Sequence, residues 1–514
     1  MGKLLSGLID LQLRSNSEKT LTRQLYEQLR GTILAGSLPP GYRLPSSRDL
    51  AGHLKVSRNT VSFVIDQLVM EGYLDIAQGR RPTIAAPSKT GLLFGSGTSR
   101  QTTPVLRVSR WAQRLRKADW PVANEGAPRP FLPGLADARA FPHNIWARCL
   151  RRAARNALAP GRAALNRPSL QAALLRHLVE HRGARAEARQ IIVTPSAQAS
   201  IELIARVLLD AGDIAWLESP GYGGARAALE AAGAVVRGVG LDRSGLSFKG
   251  RRDRPRLIFV TPSHQYPTGR LMPIHRRKEL LAFAGTTGAA IIEDDYDSEF
   301  HYDGRPVAAL QGLDETGSVL YVGTFSKSMF ADVRSGYAIV PDHLVETFER
   351  AQRHSGQIVA PPLQEALAEF IDDGHFSAHI RKMTRIYRGR RDRMVKALTA
   401  VAGPALKITA PAGGMQILVE LDARQDDVDV AKRLAKLGVT ARPLSRHFTG
   451  EIAGQGLFLG FAAWTEQEID AGADAIGSVI RDLPGFDRKT VKSAGRSTPV
   501  TGSRSGSKQA PQRR

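Results

Sequence analysis

Two spacings of apolar residues divide this chain. From Leu21 to about Ala85 they recur three and four positions apart, and LTRQLYEQLRGTILAG and SSRDLAGHLK predict two helices separated by the turn SLPPGYRLP. In SRNTVSFVIDQLVMEG a third helix follows, with Val61, Val64, Ile65, Leu68 and Val69 as one apolar stripe and Ser57 suited to the N-cap. The hairpin YLDIAQGRRPTIA completes the unit. From about Pro130 to Leu483 the pattern changes: the apolar runs QIIVT, IAWLES, RLIFVTP, GAAIIEDDY and SVLYVGTF alternate with amphipathic stretches such as IELIARVLLDAG and ARAALEAAG. That alternation predicts an α/β fold on a mainly parallel sheet. The segments HIRKMTRIYRGRRDRMVKAL, MQILVEL and LFLGFA predict a smaller C-terminal α+β subdomain.

Composition fills in what lies between. Residues 86–129 are rich in Ser, Thr, Gly, Pro and Arg, with one short helical stretch from Trp111 to Lys117, and read as a linker. A flexible chain of that length spans on the order of 35 Å. The expected domains are therefore 15–85, the linker 86–129, 130–483, and a basic, disordered tail 484–514. Lys and Arg number 72 against 49 Asp and Glu, a net charge of +23 that favours a polyanionic partner, nucleic acid first. The single cysteine, Cys149, excludes an internal disulfide framework and fits a reducing, cytoplasmic setting. The start MGKLLSGLIDLQLR resembles neither a signal peptide nor a membrane span, so no membrane partner is expected.

The order helix, helix, short turn, helix, hairpin places the start of the third helix where a recognition helix enters the major groove of double-stranded DNA. Ser57, Arg58, Asn59 and Thr60 stand there. Arg can pair with guanine edges, Asn with adenine, and Thr with a thymine methyl or a phosphate. Ser46, Ser47 and Arg48 open the preceding helix, whose free N–H groups suit a backbone phosphate; Arg43 lies just before it, and Arg80 and Arg81 fall at the tip of the hairpin. Each residue taken singly is as well explained as a helix cap or a solvated face. Together, YRLPSSRDLAGHLKVSRNTVSFVIDQLVMEGYL closely resembles the winged helix-turn-helix domain of the GntR family.

Three further pieces, FVTPSHQYPTG, IIEDDYDSEFHYDG and VLYVGTFSKSMFADVRSGY, carry a second kind of chemistry. A Schiff-base cofactor needs a lysine, a carboxylate for a ring nitrogen and a cradle for its phosphate. Lys327 follows a strand, with Thr324, Ser326 and Arg334 near it as phosphate donors; Asp294 ends the strand GAAII, and Tyr296 can reach a ring hydroxyl. The carboxylates Glu293, Asp294, Asp295, Asp297 and Glu299 are open to a second reading as a hard-metal site, although they lack the glycine turn of a calcium loop. His375 and His379, four apart, are better read as structural histidines than as metal ligands.

TPSHQYPTG, EDDYDSEF and GTFSK, in that order, resemble the fold-type-I aminotransferase domain of MocR-type regulators over some 350 residues. The resemblance implies pyridoxal 5'-phosphate as cofactor, Lys327 as its Schiff-base lysine, Asp294 on the pyridine nitrogen, Tyr296 on the phenolic oxygen and Tyr222 against the ring. It puts Tyr266 where ordinary aminotransferases carry Asn. The phosphate loop departs from the family pattern: Thr194-Pro195-Ser196-Ala197-Gln198-Ala199 lacks a glycine and a hydroxyl, leaving Ser196, Ala197, Gln198 and the backbone of the next helix start to bind phosphate. Phe458 in LFLGFA stands where amino-acid aminotransferases carry the arginine that grips the substrate carboxylate, which argues against productive transamination. The resemblance further implies a head-to-tail homodimer on a two-half-site operator, with pyridoxal phosphate or its adduct with a small amino compound as effector. The expected function is transcription regulation, with a large domain limited to Schiff-base formation or a partial reaction. The competing readings are an active aminotransferase tethered to DNA and a cofactor-free dimerisation scaffold.

Overall fold

The computed structural model describes residues 11–14, 17–77, 80–85, 107–117, 128–156, 165–304, 307–403 and 406–483. The expectations for the tail 484–514, for most of the linker and for Gln78-Gly79 of the hairpin lie outside them. The chain divides into two compact units, residues 1–107 and 108–514.

In the first unit the three helices form as Leu21–Leu34, Ser47–Leu54 and Arg58–Met70. Val61, Val64, Ile65 and Leu68 are buried against Leu25, Leu29, Leu50 and Ala51, which is why the stripe folds as a helix rather than merely scoring as one. The turn between the second and third helices is Lys55-Val56-Ser57, with Lys55 in the left-handed conformation at φ 54°. Leu74–Asp75 pairs antiparallel with Thr83–Ile84 to make the wing.

The second unit is built on an eight-stranded sheet in the order Ile191–Thr194, Gly336–Ile339, Val319–Thr324, Ala290–Asp294, Leu257–Val260, Ile214–Ser219, Val235–Asp242, Gly245–Leu246. Five neighbours run parallel, from Val319–Thr324 to Val235–Asp242. The expected parallel sheet is therefore interrupted: Gly336–Ile339 runs antiparallel between Ile191–Thr194 and Val319–Thr324. It returns directly from the Lys327 segment, too short a connection for the helical crossover that a parallel neighbour needs. Helices cover both faces, so Ile191 and Val193 face one core while Ile192 faces another. The helix Arg110–Lys117 lies against Gly223–Ala232, with Arg114 donating to the Ala231 carbonyl at 2.8 Å.

The C-terminal subdomain is a four-stranded antiparallel sheet in the order Lys407–Ile408, Gln416–Leu421, Gln455–Gly460, Arg442–Pro443. It packs with the helices His375–Ala402, Asp427–Lys436 and Glu466–Arg481 around Leu398, Val419, Leu434, Leu459 and Ile476. Among the described residues no helix is long and apolar enough to cross a membrane.

Candidate functional site

On the first unit, local hydrogen bonding sorts the candidate DNA contacts. Ser57 caps the third helix, accepting from the Thr60 N–H at 3.0 Å and sharing a 2.8 Å hydrogen bond with the Thr60 hydroxyl. Ser46 caps the second, accepting from the Asp49 N–H at 3.2 Å and donating to its carboxylate at 2.6 Å. These hydroxyls serve the helix starts. The first-turn side chains Arg58 and Asn59 are exposed, as are Arg43 and Arg48, Ser47 is half-buried, and Arg80 and Arg81 are exposed on the wing.

On the second unit, parallel strands deliver their C-terminal ends to one edge of the sheet, and that edge gathers most of the remaining candidates. Ile214–Ser219 leads to Tyr222, Leu257–Val260 to Tyr266, Ala290–Asp294 to Tyr296, and Val319–Thr324 to Lys327, which sits in the one-turn helix Phe325–Ser328 capped by Thr324. The rings of Tyr222 and Tyr266 meet edge-on at 5.4 Å, and those of Tyr266 and Tyr296 at 6.0 Å. Tyr296 donates to the His264 carbonyl at 3.1 Å and accepts from Gln416 Nε2 at 3.3 Å. Tyr222 donates to Gln198 Oε1 at 3.2 Å.

The phosphate candidates converge through strand register. Gly336 is paired with Thr194 on one side and Thr324 on the other, so the three lie abreast. A Cβ at Gly336 would fall 2.7 Å from Ala197 N, so this strand lies directly under the first turn of the helix Ala197–Leu208. Ser196 caps that helix, accepting from Ala199 N–H at 3.1 Å. Ser326 is half-buried in the Lys327 turn, and Arg334 is exposed in the left-handed conformation at φ 45°.

Burial sets the charges. Lys327 donates to the Gly134 carbonyl; burial and then the positive charge of Arg442 bring its amine down to about 8, against the pull of Asp297 and Asp294. Asp294 moves the opposite way: burial, reinforced by Asp295 and Asp297, raises its carboxyl to about 8. Asp294 Oδ1 is buried with no hydrogen-bond partner among the described residues. Three other acids of the cluster are held by partners, while Asp295 Oδ1 and Glu299 Oε2 are, like Asp294 Oδ1, buried without a hydrogen-bond partner among the described residues. Glu293 accepts from the Leu310 and Gln311 N–H groups, Asp295 from Arg182 at 2.7 Å and Tyr321 at 2.6 Å, and Asp297 pairs with His264 at 2.8 Å. Among the described residues no three His, Cys, Asp or Glu are arranged to hold a metal ion. His379 is buried beneath the Lys327 turn, its Nε2 3.1 Å from the Ser328 carbonyl, and Cys149 is buried, where desolvation raises its thiol to about 11.

Residues 142–476 match the family "Aminotransferase class I and II", and residues 21–84 match "Bacterial regulatory proteins, gntR family". The chain is 37% identical over 477 residues, 92% of its length and 96% of the relative's, to the probable rhizopine catabolism regulatory protein MocR of Rhizobium meliloti. The chain belongs to the MocR-type regulators of the gntR family. The pyridoxine biosynthesis regulator PdxR of Corynebacterium glutamicum is 31% identical over 90% of this regulator and 97% of its own chain. Among solved structures, a kynurenine aminotransferase of Pyrococcus horikoshii matches 75% of this chain and 97% of its own, with a TM-score of 0.64 at 25% identity. This regulator accordingly binds DNA through its gntR-type domain and pyridoxal 5'-phosphate through its aminotransferase-fold domain.

The cleft fits that cofactor. An orphaned carboxyl oxygen, a half-buried lysine and the start of the helix Ala197–Leu208 stand at the sheet edge. Several residues at the cleft were absent from the sequence reading. Gly134 closes over Lys327, and a Cβ there would fall 2.7 Å from Nζ. Gln416 supports Tyr296, and Glu218, raised to about 7 by burial, anchors Thr261 and Gln265. Arg442 borders Tyr266. Each stands outside the three quoted motifs or far from them in sequence.

Proposed function

We propose that this transcription regulator reads a small amino compound through pyridoxal phosphate held at the cleft, and converts its binding into a change in operator affinity. When bound, the cofactor supplies an electrophilic carbon for amines and a ring that withdraws electrons. Lys327, whose amine is brought down to about 8, would be the nucleophile offered to that carbon. Asp294 would accept a hydrogen bond from the ring nitrogen and hold a proton there; Tyr296 would hold the phenolic oxygen, and Tyr222 and Tyr266 would border the ring. Thr194, Ser196, Ala197, Gln198, Thr324, Ser326 and Arg334 make the phosphate cradle. The observation that carries the reading is the half-buried Lys327 in one cleft with the partnerless Asp294 Oδ1, on a chain that also has an exposed recognition-helix start.

On DNA, Arg58 and Asn59 read base edges, while Arg43, Ser47, Arg48, Arg80 and Arg81 hold phosphates. A head-to-tail homodimer in the cytoplasm, facing two half-sites, completes the scheme, and sedimentation analysis tests the dimer. A ligand shifts the balance between two arrangements only through unequal affinity for them.

The test is an absorbance spectrum of the purified protein with pyridoxal phosphate, before and after borohydride reduction, with the labelled peptide identified, and parallel gel-shift titrations on operator DNA. Label on Lys327, lost in Lys327→Ala, together with operator affinity that changes with cofactor and amine, is the expected result. Label on another lysine, or operator binding indifferent to both, refutes the sensing role. Sustained conversion of an amino donor and a keto acid would instead make the protein an enzyme.

A further inference from the structure

A second cation stands at the cleft; its charge helps lower the Lys327 amine, but the cofactor scheme gives it no anion. Arg442 lies on the short edge strand Arg442–Pro443, directly opposite Phe458 on Gln455–Gly460. Opposed residues of an antiparallel pair project to the same face with Cβ atoms about 4.5–5.5 Å apart. That face is the cleft wall. The Phe458 ring meets Tyr266 edge-on at 5.0 Å, and Gln416, on the strand flanking Phe458 from the other side, donates to Tyr296 at 3.3 Å. The Arg442 guanidinium reaches the Tyr266 phenol, and its charge is felt at Tyr222 and Lys327.

Arg442 is half-buried, and among the described residues it has no carboxylate at ion-pair distance. A partly desolvated cation without an anion is unfavourable to a fold, and a bound anion relieves the cost. The cofactor phosphate is a poor candidate for that anion, because its cradle is built on the large sheet at Thr194, Gly336 and Thr324, while Arg442 belongs to the small antiparallel sheet. By the resemblance, Phe458 stands where amino-acid aminotransferases carry a carboxylate-binding arginine. A guanidinium directly across the strand pair reaches the same wall of the cleft.

We infer that Arg442 is the carboxylate-binding residue of this cleft, so that the amino compound recognised is an amino acid rather than a simple amine. The inference rests on the sensing role proposed above and names the ligand's second anchor. Phe458 then contributes an apolar edge that orders Tyr266, and the cation comes from the neighbouring strand.

The test uses the full-length protein loaded with pyridoxal phosphate and two ligand pairs, L-alanine with ethylamine and L-phenylalanine with 2-phenylethylamine. Apparent affinities are read from the change in the cofactor absorbance band. The wild type should favour each amino acid over its amine. Arg442→Met should weaken each amino acid about 10- to 100-fold relative to its amine, the usual share of a charge-assisted pair; because the same charge also lowers the Lys327 amine, the amino-acid-to-amine ratio is the measure and pyridoxal phosphate uptake is read separately. Arg442→Lys should restore part of the preference, as should Phe458→Arg placed in the Arg442→Met background. Retained preference in Arg442→Met, no preference in the wild type, or collapse of cofactor uptake in both Arg442 variants overturns the assignment. A wild type that takes up no pyridoxal phosphate overturns the sensing role as well, and the spectrum shows that before any ligand is added.

Discussion

Replacing Asp294 by Asn separates what the cofactor site costs the empty protein from what it returns on binding. Burial raises the Asp294 carboxyl from 3.8 to about 8, so holding it ionised in the empty cleft costs on the order of 5 kcal/mol. A carboxyl whose folded value is raised binds a proton in the native state while the unfolded chain has released it. Stability of the apo-protein therefore falls as pH rises from about 4 to about 8, and Asn removes that slope. At pH 8 without cofactor, Asp294→Asn should be the more stable protein, by several kcal/mol at most; at pH 4 the two should be nearly equal. With pyridoxal phosphate in excess the order should reverse, because Asn cannot pair with a protonated ring nitrogen. Loss of that buried pair is worth about 3 kcal/mol, roughly a 100-fold weaker Kd. Thermal unfolding at pH 4 and pH 8, with and without cofactor, reads the stability, and a fluorescence titration reads the Kd. A wild type that is the more stable apo-protein at pH 8, or equal Kd values for the two proteins, would refute the placement of Asp294 on the ring nitrogen.

Three other perturbations follow from the same geometry. Arg58→Ala should cost about 1–3 kcal/mol of operator binding and relax preference at one base pair, whereas Ser57→Ala, which removes a cap, should cost about 1 kcal/mol of stability in the DNA-binding unit; gel shifts on mutated operators and thermal unfolding distinguish them. Gly134→Ala puts a methyl 2.7 Å from Lys327 Nζ at a φ of +73°, so borohydride labelling of Lys327 should fall sharply while circular dichroism stays native. His379 is lowered to about 4 by burial and so is neutral in the fold where the unfolded chain is charged; its stabilisation is complete above pH 6.5 and is lost toward pH 4, by about 3 kcal/mol. The His379→Gln variant should show a correspondingly shallower acid limb in thermal unfolding, and an unchanged limb would remove His379 as the cause.

Much of this protein is written locally. The stripe Val61, Val64, Ile65, Leu68 in one period, Ser57 and Ser46 at helix starts, and the run of apolar strands ending at Asp294 and Thr324 are statements about neighbours in sequence, and each became the element its pattern predicts. The motifs around Tyr266, Asp294 and Lys327 were legible for the same reason: each is short, and the ends of parallel strands must meet at one sheet edge. What the chain could not state locally depends on partners distant in sequence. The antiparallel strand Gly336–Ile339 carries no mark of its direction, which is set by the short return from Lys327. The acidic cluster reads as a set of equals, yet Arg182, Arg277 and His264 from other elements hold Asp295, Glu293 and Asp297, while among the described residues Asp294 meets no cation at ion-pair distance and keeps a buried Oδ1 without a partner. Arg442 is one arginine among many until strand pairing sets it opposite Phe458. Sequence alone determined the elements, the two-part architecture and the chemistry the protein draws on. Tertiary structure decided which side chains lose their water and which charges face one another, because desolvation and cross-strand contact are properties of neighbours in space.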